Sequence, residues 1–148
     1  MGRKVKAVMT GEMTFGDAAA LFATMAHKLD AKDGLEKAAA MLEEKAKAAI
    51  GSHEYGWLPL TPETIDRKAN GDTPLLETGE LRDSVGHVMV SSEEAEVGSD
   101  SPKAEWHELG TPSIPPRSFI AETGRRHEEE AVAIVADMTL GALSLKRD

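Results

Sequence analysis

The sequence predicts an α+β domain, a small antiparallel sheet of three or four strands packed by N-terminal helices and a long C-terminal helix. Three observations carry this. Apolar residues recur at helical spacing through the first third of the chain. A β-rich run, Val85–Val90, is followed after a short polar turn by a second, Ala95–Gly98. The final stretch from about Phe119 to Leu145 returns to helix. With 148 residues the chain suits one domain spanning 1–148, and two would be cramped.

In chain order, residues 1–13 have no clear period and form a mobile or strand-like arm. Thr14 is a helix cap, and Phe15, Ala18, Ala19, Phe22, Met25, Ala26 and Leu29 follow at helical spacing. Asp33 and Glu36 resemble a capping box. Behind them Leu35, Ala38, Ala39, Leu42, Ala46, Ala49 and Ile50 make one stripe, and Gly51 is a natural stop. Residues 51–75 read as a long loop with one short helix. That helix starts at Thr61-Pro62-Glu63 and should end at Asn70-Gly71. Thr78 is placed to cap a further turn carrying Leu81.

Two strands alone are marginal, so a third must come from elsewhere. Ser113–Phe119 is the candidate edge strand, because proline is tolerated at an edge. Pro102–Glu108 is a short helix between them. In the last helix, Gly124 and Gly141 are candidate breaks. Val132, Ala136, Leu140 and Leu143 fall on one side, and Ile134, Met138 and Leu145 fall roughly opposite. A helix apolar on two faces is sandwiched. Its second cover is either the N-terminal helices or a neighbouring subunit, and the sequence leaves both open.

Composition narrows the chemistry. There are no cysteines, which removes disulfides, thiolate metal sites and a cysteine nucleophile. Aromatics are 4%, so the core is built from Ala, Leu, Val, Ile and Met. The best apolar run, Ala18–Ala26, is far shorter than the ~20 residues of a membrane span. The net charge of −9 disfavours binding to phosphate backbones. Five histidines are scattered, none with another at i+4, so no metal site is expected. His107-Glu108 begins like a zinc-protease helix but lacks the second histidine. No phosphate loop and no glycine-flanked serine are present, and no cofactor is expected.

A series of short stretches in order gives the sequence a specific resemblance. They are Trp57-Leu58-Pro59-Leu60 with Thr64 and Lys68, Leu75-Leu76-Glu77-Thr78-Gly79-Glu80-Leu81-Arg82-Asp83-Ser84-Val85, and Ala95–Ser99. Ala104-Glu105-Trp106-His107-Glu108-Leu109-Gly110-Thr111 and Ile114-Pro115-Pro116-Arg117-Ser118-Phe119-Ile120 complete the series. Together they resemble the tail-completion, or virion-morphogenesis, proteins of tailed bacteriophages and the related minor tail components. Lys103 stands where that family has tyrosine, and Ser118 where it has a second proline.

The resemblance implies a structural virion protein at the head–tail junction or upper tail, made in the host cytoplasm. It would be a ring of sister copies, hexameric in the particle. Its partners would be neck, connector or tail-tube proteins, with DNA only as cargo and no membrane. An acidic lumen that DNA does not stick to is one use for the charge. Candidate structural or interface residues are Trp57, Leu60, Leu76, Thr78, Gly79, Leu81, Gly98, His107, Gly110, Pro115, Pro116, Arg117 and Phe119. Thr78 would cap its helix and Gly79 would leave room in the first turn. Gly98 would allow a tight exit from the hairpin. His107 would bond a carbonyl of the following loop, and Gly110 would end its helix. Pro115 and Pro116 would stiffen an arm, and Arg117 would reach a carboxylate of the next subunit. Fold maintenance within one subunit is an equal reading of each. Two other classes stand beside this one: a small metal- or carboxylate-dependent hydrolase using His107 and Glu108, and an assembly factor absent from the finished particle.

Overall fold

The computed structural model describes the backbone of residues 5–10 and 31–144, with side chains for 31–141. The expected helix over residues 14–29 and Leu145 lie outside the described residues. The architecture is α+β. Strands β1 (Val5–Thr10), β2 (Val85–Met89) and β3 (Glu94–Ser99) form an antiparallel sheet in the order β1-β3-β2. The third strand is therefore the N-terminal segment. Val5 lies opposite Ser99 and Thr10 opposite Glu94, while Val85 also lies opposite Ser99 and Met89 opposite Ala95.

Helix α1 (Lys32–Ala49) crosses one face of the sheet. Its predicted stripe is its buried side, with Leu35, Ala38, Ala39, Leu42, Ala46 and Ala49 all enclosed. The expected capping box is not formed. The helix begins two residues earlier, from Ala31, so Asp33 sits inside the first turn, where its charge suits the helix dipole.

The short helices are α2 (Pro62–Arg67), α3 (Glu80–Asp83), α4 (Pro102–Leu109) and α5 (Ala121–Arg126), and the long C-terminal helix is α6 (Glu128–Ser144). Thr61 caps α2 as its sequence predicts, accepting from the Thr64 amide. That helix ends at Arg67, short of the expected Asn70, because Lys68 turns extended and its side chain is drawn to Leu76 and Glu77. The C-terminal break falls at His127. Gly124 lies within α5 and Gly141 within α6, since a helical glycine costs only about 1 kcal/mol, less than packing returns.

Two apolar clusters share α1. Its N-terminal half packs with Ala95 and Val97 of β3 and Ala131 of α6, flanked by Ile134 and Val135. The helices approach closely here, and a Cβ on Gly34 would lie 3.0 Å from the Val135 Cα. The C-terminal half, with Ala46 and Ile50, packs against Leu81, Val85, Ala104, Phe119 and Ile120. Alternation along β3 turns Ala95, Val97 and Ser99 inward. Gly98 is thus the last residue but one of β3, on the outer face opposite Gly86, and it lacks the positive φ that a tight exit from the hairpin would need.

Ser113–Phe119 is not a strand. It holds one isolated bridge, Thr111 to Ile114. Pro115 and Pro116 bring no N–H donors to a ladder, and the Arg117 amide donates instead to the His107 carbonyl at 2.6 Å. The Leu81 side chain is buried where α3 meets β2. Leu81→Ala should therefore lower unfolding free energy by ~2–5 kcal/mol in denaturant titration. A loss below about 1 kcal/mol would mean that the pocket closes around the smaller residue.

Candidate functional site: a carboxylate-fastened junction

Four of the five stretches singled out in the sequence meet around Glu108, while Ala95–Ser99 lies in β3 and packs in the other cluster. This side chain lies on the inner side of α4 and is 7% exposed. One carboxylate oxygen accepts from the Phe119 amide at 2.7 Å and the Ile120 amide at 2.5 Å. The other accepts from the Ser118 hydroxyl at 2.7 Å and, at 3.5 Å, from the Ala121 amide. These amides precede or begin α5, where N–H groups have no partner within the helix. Ile120, the residue at that helix start, has no capping side chain of its own, and Glu108 supplies one from a distance. Charge-assisted bonds to backbone amides are among the stronger hydrogen bonds.

The Trp57 loop is fastened to the same turn. The Trp57 indole donates to the Ser118 carbonyl at 3.2 Å. Arg117 reaches back, its Nη2 donating to the Leu58 carbonyl at 2.9 Å. Tyr55 is buried, edge-on to Trp57, with ring centroids 5.6 Å apart. Thr123 donates to the Phe119 carbonyl at 2.6 Å, so the Tyr55 hydroxyl, 2.6 Å away, is the donor to Thr123. The Arg126 guanidinium stands 4.8 Å from the centre of the Tyr55 ring. Leu76 packs on the cluster containing Phe119, and the Lys68 ammonium binds the Leu76 carbonyl and the Glu77 carboxylate, each at 2.6 Å. Leu60 is half-buried nearby in sequence but is not part of that cluster.

Several expected roles change. Gly79, not Thr78, occupies the cap of α3, at φ +89°, a conformation a side chain would strain. Space around it is not the reason, since a Cβ there would meet nothing closer than 3.5 Å. Thr78 contributes a longer bond, its hydroxyl accepting from the Glu80 amide at 3.4 Å. Gly110 ends α4 as expected, at φ +77°, and a Cβ there would also press on Pro116 and the Ile114 carbonyl at 3.0 Å. Pro115 is half-buried and Pro116 exposed.

Arg117 does not reach outward to another subunit. It is 7% exposed and bound to its own Trp57 loop, and its Nε is buried without a partner. Nor does the His107 ring bond the following loop. Its backbone carbonyl takes that role, while the ring Nδ1 is buried without a partner. Burial first, and then the charges of Arg117 and Lys103, lower the His107 pKa from its ordinary 6.5. The ring is therefore neutral at neutral pH.

Glu108, Tyr55, Thr123 and Lys68 are the residues that sequence reasoning undervalued. Glu108 was visible only as a possible catalytic carboxylate. Its partners lie ten or more residues away, and no local spacing announces them. As a general base it would have to release bonds that close the start of α5. Among the described residues, no group of three or more His, Asp or Glu side chains is arranged to hold a metal ion. No helix among them is long and apolar enough to cross a membrane.

Comparison of the chain with protein-family models, with curated proteins and with solved structures finds no match in any of the three.

Two outcomes test the junction. Glu108→Ala leaves two enclosed amides without acceptors and should cost on the order of 3 kcal/mol or more in urea unfolding. Glu108→Gln keeps one oxygen for Phe119 and Ile120 and should cost roughly half as much. Equal, small losses would show that the carboxylate is not a fastener. The second concerns pH. A histidine whose folded pKa is depressed binds its proton more readily when unfolded. Its stability contribution is complete above about 6.5 and is lost as pH falls from there towards the folded value. His107→Gln should flatten that limb in unfolding curves taken between about pH 7.5 and 5. An unchanged limb would assign it to other groups.

Proposed function

We propose that this chain is a structural component of a tailed-bacteriophage particle, acting at the head–tail junction or upper tail as one copy in a ring. The observation that carries the proposal is the fate of the shared stretches. Trp57, Leu76, Leu81, Glu108, Arg117 and Phe119 support one another in a single fastened junction. Residues of the phage-like pattern thereby have a scaffold role, which is what a ring subunit asks of them. Of the chemically capable pair, Glu108 is enclosed in that scaffold and His107 is half-buried with its ring Nδ1 covered, and this favours assembly over the hydrolase reading.

A ring needs the same contact repeated head to tail. Large apolar side chains stand exposed, Val88 on β2, Trp106 and Leu109 on α4 and Leu140 on α6, with Leu58 and Val90 in loops. Covering these side chains against neighbouring copies would stabilise an assembly. Neck, connector or tail-tube proteins are the other partners on this reading, with DNA passing through the ring.

Electron microscopy of particles assembled without this protein tests the role. Filled heads beside detached tails are the expected result. Tails of abnormal length would move the protein into the tail. Normal, infectious particles would overturn the proposal.

A further inference from the structure

We propose that the outer faces of α4 and α6 are the two halves of one contact, with α4 of one copy seating on α6 of the next. This rests on the ring reading and gives it a specific interface.

At ~100° per residue, Pro102, Lys103, Trp106 and Leu109 lie along one side of α4, opposite the enclosed Ala104 and Glu108. All four are exposed, Trp106 at 48% and Leu109 at 70%. That face carries two bulky apolar side chains and one cation. On α6 the corresponding outer side is Ala133, Asp137, Leu140 and Gly141, opposite the enclosed Ala131 and Thr139. All four are again exposed, Leu140 at 41%. With the exposed Glu130 between Asp137 and Gly141, that face carries two small residues, one Leu and two anions, and Glu129 stands at its edge.

The faces complement each other in shape. A Cβ built on Gly141 meets nothing within 4 Å, and Ala133 is nearly as bare, so the helix surface there is shallow. Trp106 and Leu109 are the large groups that can fill it. Tryptophan enclosed at the centre of an interface is a frequent source of binding energy.

They also complement each other in charge. Among the described residues, Asp137 forms no hydrogen bond or ion pair. Lys103 pairs with Glu80 at 2.7 Å, but both side chains are half or more exposed, so water keeps that pair weak and exchangeable. Pairing α6 with α6 would bring two acidic faces together, whereas Lys103 gives α4 a cation to set against one. The mixed pairing sets a cation against those anions, which favours a head-to-tail contact over an α6-with-α6 dimer.

The contact is small. Helix α4 has eight residues and is about 12 Å long, less than a standard interface of about 800 Å² per partner requires. Two copies should therefore associate weakly, with closure of the ring or a neighbouring virion part supplying the remainder.

The absence of cysteine makes thiol cross-linking specific to introduced residues. Leu109→Cys and Leu140→Cys proteins, mixed in equal amounts at high concentration with a mild oxidant, should give the mixed disulfide in clear excess over either like-with-like dimer. The double variant L109C/L140C should give a ladder of covalent multimers. Random pairing or no cross-link would overturn the contact. Lys103→Asp or Asp137→Lys should each reduce the mixed product about two- to fivefold, and combining them on opposite copies should restore it. Unchanged melting of all variants would exclude unfolding as the cause, since every altered side chain is exposed. If reversing either charge leaves the yield unchanged, the pairing is wrong. Particles that need the protein for joining but show no 109–140 cross-link would overturn this interface and leave the ring role standing. Particles that form normally without the protein would overturn the role itself.

Discussion

One enclosed carboxylate organises the junction between the two ends of the fold. Glu108 is carried by a short helix, and its oxygens are held by the turn that opens α5. A carboxylate is stable in such surroundings only when donors surround it, and amides at a helix start are stable there only when an acceptor faces them. Each side answers the other's deficit. The turn is thereby fixed, and with it the carbonyls of Ser118 and Phe119, which take bonds from Trp57 and Thr123.

From that turn the consequences run in two directions. Towards the N-terminus, the Trp57 loop acquires a fixed seat, and Arg117 holds the next carbonyl of the loop. The stretch around Leu75 and Leu76 then closes over the cluster, tied down by Lys68. Towards the C-terminus, the chain emerges from α5 in a set direction, turns at His127 and runs as α6 across α1. The position of α6 is thus set both by its own packing on α1 and by the turn that launches it. A protein that must offer the same surface in every copy of a ring benefits from this rigidity, because interface geometry repeats only as well as the subunit does.

Much of the fold was legible because it is written in local periodicity. The stripe from Leu35 to Ile50 needed only the helical repeat, and Val85–Val90 with Ala95–Gly98 needed only β-rich runs and a turn. Thr61-Pro62 marked a helix start through the chemistry of its own few residues. What escaped was long-range. Nothing in Val5–Thr10 announces a partner some ninety residues later in β3, and proline-rich Ser113–Phe119 was the more visible candidate for the third strand. Glu108 looked like a reactive group because its acceptor role depends on amides brought close only by folding. Arg117 looked outward for the same reason, since the carbonyl that holds it belongs to Leu58.

Amide hydrogen exchange at Phe119 and Ile120 probes the central constraint most directly. If Glu108 fastens the turn, both amides should exchange only through global unfolding, with protection matching the slowest amides of α1. Exchange at the pace of an open loop, while α1 stays protected, would contradict the account.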